Sequence, residues 1–378
     1  MFCLKRLRNT VTLTLIAVPV WLHANGIALR YDGLSESTAF ILYLEQSHAF
    51  VSANLFTFDQ RTAENIQIAR KELNGKMSDE FSFTLKENGT SHNCLTGRFV
   101  GSADTLLLNV NCTDVSTDVL LIRSTEARQS LQFLRYVETS YVQQGTTDQH
   151  EANLELDAIL ATARQNRALS DALIRFASLP YDSTGQMPFD SLMKQEGRRY
   201  TEQFRRMASA DAETSGHNRL TDWERVQLMQ VVLNSHGLLC LEKTTYAYTG
   251  GANGLTNISY LIVDDDGNSI SWKDVFHSDS LSALTRLINQ KLQQLYSPGN
   301  PAPLTKAGFF SGEAAPNENN YLSHDGFSFV YNVYEIAPRS MGVIRVQLSP
   351  GESLPLAASA AWREKLRHIF YPQNMMEP

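Results

Sequence analysis

Residues 25–123 contain eight short runs with the length and apolar content of β-strands, and this repetition limits the possible folds strongly. In residues 80–87, phenylalanine and leucine alternate with serine, threonine and lysine, as in a strand with one buried face. Turn pairs such as Asn88-Gly89 separate the runs. Many short antiparallel strands in about a hundred residues predict a small antiparallel β barrel or sandwich.

The pattern changes after residue 123. Between residues 150 and 180, apolar residues such as Leu156, Ile159 and Leu160 recur at helical intervals. We therefore expect residues 124–180 to form a helical connector between the first domain and the rest of the chain.

Residues 181–372 mix strands and helices. Two hairpins are predicted, one at residues 234–237 and one around Asp266-Gly267. A helix is predicted near residues 279–296, with Asp279 or Ser280 as its N-cap. Its apolar stripe comprises Leu281, Leu284, Leu287, Ile288, Leu292 and Leu295. Strand pairs and helices segregated in this way predict an α+β fold, with helices packed on one face of an antiparallel sheet.

Residues 1–24 have the layout of a secretory signal peptide. Basic residues precede the apolar run Val11–Leu22, and Ala24 follows at a plausible cleavage point. The run is short for a membrane span of about twenty residues, although an uncleaved anchor is the alternative. No later stretch of sequence is apolar enough to form a transmembrane helix. These features predict a periplasmic or extracellular protein.

The charge balance is acidic. The chain has 33 Lys and Arg against 40 Asp and Glu, a net charge of −7. Residues 1–24 carry three basic residues and no acidic one, so their removal changes the balance to −10. This sign argues against a nucleic-acid partner and suits a cationic protein partner.

Three cysteines follow the signal segment. Cys94 and Cys112 lie on two predicted strands that flank the turn at residues 101–104, and an oxidising compartment would allow a disulfide between them. Cys240 lies in an apolar strand, where a buried, unreactive thiol is expected.

Two aromatic motifs provide the candidate binding surface. The first is YAYTGGANG at residues 246–254, and the second is FVYNVYEIAP at residues 329–338. The first lacks the Gly-Lys-Ser/Thr of a phosphate-binding loop, so its glycines are expected to allow positive φ or close backbone approach. The candidate ligand-binding residues are Tyr246, Tyr248, Gly250, Gly251, Asn253, Tyr331, Tyr334 and Glu335.

The two motifs, with the strands and helix between them, resemble the extracytoplasmic domain of the RsiV family of lysozyme-sensing anti-sigma factors. A family of peptidoglycan deacetylases carries the same domain in a non-catalytic position. The resemblance covers roughly residues 180–372 and implies a lysozyme-like protein or peptidoglycan as the ligand. The family usually has histidine where this chain has Asn253, so a metal or proton role for that histidine does not carry over.

The sequence thus predicts an exported, non-enzymatic binding protein without a metal or other cofactor. Ser-x-x-Lys and His-Glu patterns occur, but the companion residues that catalysis needs are missing. One alternative is a cell-wall hydrolase that uses carboxylates of Asp264, Asp265, Asp266 and Glu335. The other alternative is a structural or assembly role in the envelope.

Overall fold

The computed structural model of the chain describes residues 21–35, 38–46, 50–62, 65–77, 81–87, 90–100, 102–110, 117–125, 129–144, 148–162, 166–180, 187–213, 221–299 and 303–372. Most of the predicted signal segment, residues 1–20, lies outside them. The described fold is α+β, as predicted: a large sheet dominated by antiparallel pairs, a separate small sheet and a few helices.

The N-terminal region consists of eight strands, which confirms the eight predicted runs. They are β1 (Trp21–Ser35), β2 (Thr38–Gln46), β3 (Phe50–Thr62), β4 (Asn65–Met77), β5 (Phe81–Glu87), β6 (Thr90–Val100), β7 (Ser102–Val110) and β8 (Thr117–Arg123). Each strand pairs antiparallel with its neighbour in sequence, and β8 pairs back with β1, with Tyr31 opposite Arg123. Side chains on one face of these strands form an apolar cluster that includes Leu42, Leu55, Leu106 and Leu121.

The predicted disulfide concerns residues that are only partly described. The β6–β7 register places Leu95 opposite Val110. Cys112 and the side chain of Cys94 lie outside the described residues, so the bond between them stays a prediction. Cys240 carries a thiol and is fully buried, in agreement with the sequence-based expectation.

The large sheet continues from β1 through five more strands. They are β9 (Leu131–Gln144), β10 (Asp148–Ala161), β11 (Trp223–Ser235), β12 (Leu238–Tyr248) and β13 (Leu255–Asp264). Between β10 and β11 lie helices α1 (Arg167–Phe176) and α2 (Phe189–Glu213), and this crossover makes β10 and β11 parallel. The remaining pairs in this part are antiparallel, and β11 and β12 form the predicted hairpin.

The predicted helical connector is wrong for most of its length. Among the described residues of 124–180 lie the two 14-residue strands β9 and β10, and only the 10-residue α1 is helical there. Side chains from Glu151 to Leu156 alternate between half-buried and buried, but all from Leu156 to Leu160 are buried. A strand covered on both faces has a continuous apolar run, which resembles a helix by spacing alone.

The C-terminal region adds short helices and a second sheet. Its elements are α3 (Trp272–Val275), α4 (Leu281–Tyr296), β14 (Asn320–Ser323), β15 (Gly326–Tyr331), β16 (Ile344–Leu348), α5 (Pro350–Ser353) and α6 (Ala360–Phe370). The strands form an antiparallel sheet in the order β14-β15-β16. The second predicted hairpin is incomplete: after the turn, Ser269 forms only an isolated bridge with Val263. Ser271 then starts α3 with a capping box, which ends the extended segment.

Helix α4 is correctly predicted, but its apolar stripe is narrower than expected. Leu284, Ile288 and Leu292 are fully buried against the second sheet and α6, whereas Leu281 and Leu295 are 48% and 63% exposed. Ser280 precedes the helix, and its side chain makes no capping hydrogen bond. Across the described ranges, no helix combines the length and the hydrophobicity needed to cross a bilayer.

Buried polar contacts join the N-terminal strands to β11. The backbone N–H of Val231 donates to Oε1 of Glu45 at 2.7 Å, and Nδ2 of Asn54 donates to the carbonyl of Val231 at 2.8 Å. Nearby, the Tyr43 hydroxyl lies 2.9 Å from Nε2 of His324. All four side chains are at most 1% exposed. We call these residues the junction.

Candidate functional site

The turn between β12 and β13, which holds the first motif, depends on its glycines. Gly250 and Gly251 have φ values of 106° and 94°, in the left-handed region that favours glycine. Gly254 has no positive φ, but a Cβ atom there would lie 2.4 Å from the ring of Tyr246. Positive φ at two glycines and close approach at the third agree with the sequence-based interpretation. The Tyr248 hydroxyl donates to the carbonyl of Gly251 at 3.0 Å and braces the turn.

The loop after β15, which holds the second motif, is built around Asn332. The Asn332 side chain accepts from the N–H of Ile258 at 2.7 Å and donates to its carbonyl at 2.9 Å. These two bonds satisfy the outer edge of β13 as a neighbouring strand would. The carboxylate of Glu335 in turn accepts from the N–H of Asn332 at 2.8 Å and from Nδ2 of Asn317 at 2.7 Å.

Tyr334 is displayed at the tip of this loop. Its side chain is 59% exposed, and its φ of 67° is unusual for a residue other than glycine. The loop reaches back to the glycine turn, because Nη2 of Arg339 donates to the carbonyl of Gly254 at 2.8 Å. The structure thus brings both motifs to the first half of β13. We call Gly250–Asn253 together with Tyr334 and Glu335 the motif surface.

The predicted site residues do not all lie on this surface. Gly251, Asn253, Tyr334 and Glu335 are exposed, and Tyr246, Tyr248 and Gly250 are half-buried. Tyr331 is only 1% exposed and donates its hydroxyl hydrogen to the carbonyl of Ala315 at 2.7 Å. Burial, and then the nearby Glu335 carboxylate, raises the pKa of Tyr331. This tyrosine belongs to the core that supports the loop.

The family model DUF3298, described as a protein of unknown function, matches residues 273–349. The chain therefore contains a DUF3298 domain. The matched range includes the second motif but begins after the glycine turn. Comparison with curated proteins finds no match.

The solved structures that are similar to this chain include two DUF3298 family proteins. A DUF3298 family member from Bacteroides fragilis has 22% identity and a TM-score of 0.56, covering 65% of this chain and 99% of its own. A DUF3298 family protein from Pseudomonas aeruginosa has 15% identity and a TM-score of 0.44, covering 63% of this chain and 98% of its own. The first likeness extends beyond the DUF3298 domain and shows a shared fold.

Sequence reasoning missed the asparagines that hold the DUF3298 domain to β13. Besides Asn332, Oδ1 of Asn319 accepts from the N–H of Tyr260 at 3.2 Å, and its Nδ2 donates to the carbonyl of Ile258 at 2.9 Å. Two signals were present: Asn332 lies inside the second motif, and three of residues 317–320 are asparagine. Asparagine carries both a donor and an acceptor, so it can replace a strand's backbone partner.

A second contact between β13 and the DUF3298 domain centres on Tyr260. Its hydroxyl donates to Oε2 of Glu242 at 2.6 Å, and its ring stacks on Tyr321 with centroids 4.5 Å apart. Nη2 of Arg345 lies 3.7 Å from the same carboxylate oxygen. Burial, and then the Glu242 carboxylate, raises the pKa of Tyr260, so the phenol stays protonated. These contacts make a bridge between the two sheets.

The carboxylates considered for hydrolysis are also engaged in turns. Oδ1 of Asp264 accepts from the N–H groups of Asp266 and Asn268 at 3.0 and 2.8 Å. Oδ1 of Asp265 accepts from Nε2 of Gln129 at 2.8 Å. Within the described ranges, no group of three or more His, Cys, Asp or Glu side chains could hold a metal ion. The carboxylates of Asp264 and Asp265 therefore have structural roles in and beside the turn between β13 and α3.

Proposed function

We propose that the chain is an exported, non-enzymatic binding protein whose motif surface engages a cell-envelope ligand. The ligand would be a lysozyme-like cationic protein or peptidoglycan. The observation that carries this proposal is Tyr334, a large aromatic side chain that is 59% exposed on a backbone of positive φ.

The energetics of Tyr334 support a contact role. A non-glycine residue in a sparsely populated backbone region costs on the order of 1–3 kcal/mol and persists only when its surroundings enforce it. Here Glu335 and Asn332 lock the loop through side-chain hydrogen bonds to the backbone and to Asn317. Exposed tyrosine is enriched at the centres of protein interfaces, because one ring supplies a large area and a hydroxyl.

The sequence supports the cellular context of this proposal. The basic segment with Lys5, Arg6 and Arg8 followed by an apolar run has the layout of an export signal. Without residues 1–24 the chain has a net charge of −10, which favours association with a cationic protein. N-terminal sequencing of the protein recovered from the envelope tests the first point, with a start near residue 25 expected.

Pull-down of the exported chain with hen-type lysozyme, and separately with purified sacculi, tests the binding. We expect retention on one of them by the unmodified protein and its loss in Tyr334→Ala. Leu295→Ala is the matched control, because Leu295 is 63% exposed but lies on α4. No retention on either material by the unmodified protein would refute the proposal. Release of soluble fragments from labelled sacculi would favour the hydrolase alternative instead.

A further inference from the structure

A groove of about 680 Å³ runs between helix α4 and the loop that contains Gly312 and Glu313. Its volume lies within the range of sites that bind small molecules. On the α4 side it is lined by polar side chains, among them Arg286, Gln290 and Gln293. None of its lining residues belongs to the motif surface, so an inference about the groove stands on its own.

Hydrogen bonds within the protein fix the positions of the two walls of the groove. Oδ1 of Asn289 accepts from the N–H of Ala314 at 2.9 Å, and its Nδ2 donates to the carbonyls of Ala314 and Thr285 at 2.9 and 2.6 Å. The hydroxyl of Ser311 bonds to the carbonyl of Glu313 in the same loop. Both walls are therefore fixed before a ligand arrives, which reduces the entropy lost on binding.

The polar side chains of the α4 wall form a ladder. Arg286, Gln290 and Gln293 occupy successive turns of one helix face, spaced by about 5.4 Å along the axis. In the part of the chain that the structure describes, none of these three side chains has a hydrogen-bond or ion-pair partner. Each glutamine amide offers two donors and one acceptor oxygen, so the ladder can bond to a row of hydroxyl or amide groups.

Charge and shape restrict the occupant. Arg286 and Glu313 are the charged residues of the lining, one of each sign, so the groove has no net charge. A nucleic acid or another polyanion would need several basic side chains. An amphipathic helix would need apolar pockets at helical spacing, and Leu281 is the large apolar residue of the lining.

We propose that this groove binds a neutral oligosaccharide. The amides of Gln290 and Gln293 would hydrogen-bond to hydroxyl or acetamido groups on successive sugar rings. The exposed side chain of Leu281 would contact the apolar face of a ring. Arg286 and Glu313, on opposite walls, would bond to ring substituents from both sides.

Calorimetric titration of the exported chain with chitotetraose, cellotetraose and maltotetraose tests this inference. We expect binding of at least one of them, with chitotetraose favoured because its acetamido groups match the glutamine amides. Gln293→Ala should weaken that binding by about ten-fold, the effect of losing one buried polar contact. Gln294→Ala is the matched control, since Gln294 is exposed on the same helix but does not line the groove.

Two results would overturn the inference. One is the absence of binding by the unmodified protein to all three oligosaccharides up to about 10 mM. The other is equal affinity in Gln293→Ala and Gln294→Ala. Tyr334→Ala should leave oligosaccharide binding unchanged, because Tyr334 lies on the motif surface. Retention on sacculi that survives Tyr334→Ala but is lost in Gln293→Ala would therefore support the groove and count against the motif surface as the glycan site.

Discussion

The junction and the loop that displays Tyr334 contain similar hydrogen bonds but differ in burial. In both, side chains satisfy the backbone N–H and C=O of a single residue of a strand. At the junction, Glu45 and Asn54 bond to Val231 on β11. On the DUF3298 side, Asn332 bonds to both backbone groups of Ile258 on β13, and Asn319 also donates to the Ile258 carbonyl. Glu45 and Asn54 are fully buried, whereas Asn332 is half-buried beside the exposed Tyr334.

This difference shows how burial determines the free energy that such a hydrogen bond contributes to stability. Where water can reach, it replaces a lost partner and the net loss is small. Where water cannot reach, the orphaned group bears its full desolvation penalty. We therefore expect the junction to control the stability of the chain and the motif surface to control its binding.

The largest effect that we expect is a loss of folding stability at low pH, caused by His324 at the junction. Nδ1 of His324 donates to the carbonyl of Ile369, so Nε2 accepts from Tyr43. Burial, and then the charge of Arg30, lowers the pKa of His324 to about 3 from 6.5. Below about pH 6.5 the unfolded state takes up a proton that the folded state refuses. Stability should thus fall by about 1.4 kcal/mol per pH unit until about pH 3, and none of this loss occurs above pH 6.5.

Urea denaturation from about pH 7 to about pH 4 checks this prediction in the unmodified protein and in His324→Gln, which does not titrate. Burial raises the pKa of Asp157 to about 7, against the influence of Arg135, so its contribution has the opposite sign. Asp157 is present in both proteins, and their difference isolates His324. Parallel pH profiles would contradict the prediction.

Glu45→Ala should be the next most damaging change. It removes the acceptor of the Val231 N–H in a site with no exposed surface, and we expect a loss of about 3 kcal/mol in the free energy of unfolding. Glu45→Gln keeps an acceptor oxygen and should lose clearly less. Chemical denaturation of both variants measures the difference, and equal losses would mean that the carboxylate charge, rather than the hydrogen bond, matters.

Asn332→Ala should have a smaller effect on stability and a larger one on binding. Two bonds to Ile258 are lost, but the site is half-buried, so we expect about 1–2 kcal/mol. The loop that displays Tyr334 would also lose its anchor, which should abolish retention in the pull-down. Asn257→Ala serves as the control, because Asn257 is exposed on β13 next to Ile258 and its loss should cost under about 0.5 kcal/mol. If Asn332→Ala lowers the free energy of unfolding as much as Glu45→Ala does, burial does not explain the difference between the two regions.

Tyr334→Gly should give the smallest change in the free energy of unfolding, and it should increase stability rather than lower it. Glycine adopts the φ of 67° without steric cost, so we expect a gain of about 0.5–1 kcal/mol together with loss of ligand retention. Val333→Gly is the matched control, since the backbone of Val333 has no positive φ and glycine there should destabilise. A loss of stability in Tyr334→Gly would show that the tyrosine serves the fold.

Local patterns were sufficient where turn residues or helical spacing delimit an element. The N-terminal strands follow from short apolar runs between turn residues, even though β2 is buried on both faces. Helix α4 follows from the spacing of its apolar residues. Strand β10 was not predicted, since its run from Leu156 to Leu160 is buried on both faces and shows no alternation between buried and exposed residues. The narrower stripe of α4 reflects its neighbours, which cover Ile288 but not Leu295.

The candidate site was predictable only in part. The glycine turn and the exposed Tyr334 lie in motifs that stand out in the sequence. The contact between Asn332 and Ile258 spans 74 residues and leaves no local trace. Tyr331 and Tyr334 look equivalent in sequence, but β15 ends at Tyr331, so the first points into the core and the second into solvent.

The position of β1 has a consequence for the order of folding. In a chain that starts near residue 25, this strand pairs with β2 along one edge, and along the other edge with β9 through Gly26–Ala28 and with β8 through Tyr31–Gly33. Its partner β2 follows directly in the sequence, but β8 and β9 follow about a hundred residues later. Such non-local pairing slows folding. The pairing of β1 should therefore be completed only once β9 is available, and a fragment that ends at residue 123 should retain an unpaired strand edge prone to aggregation.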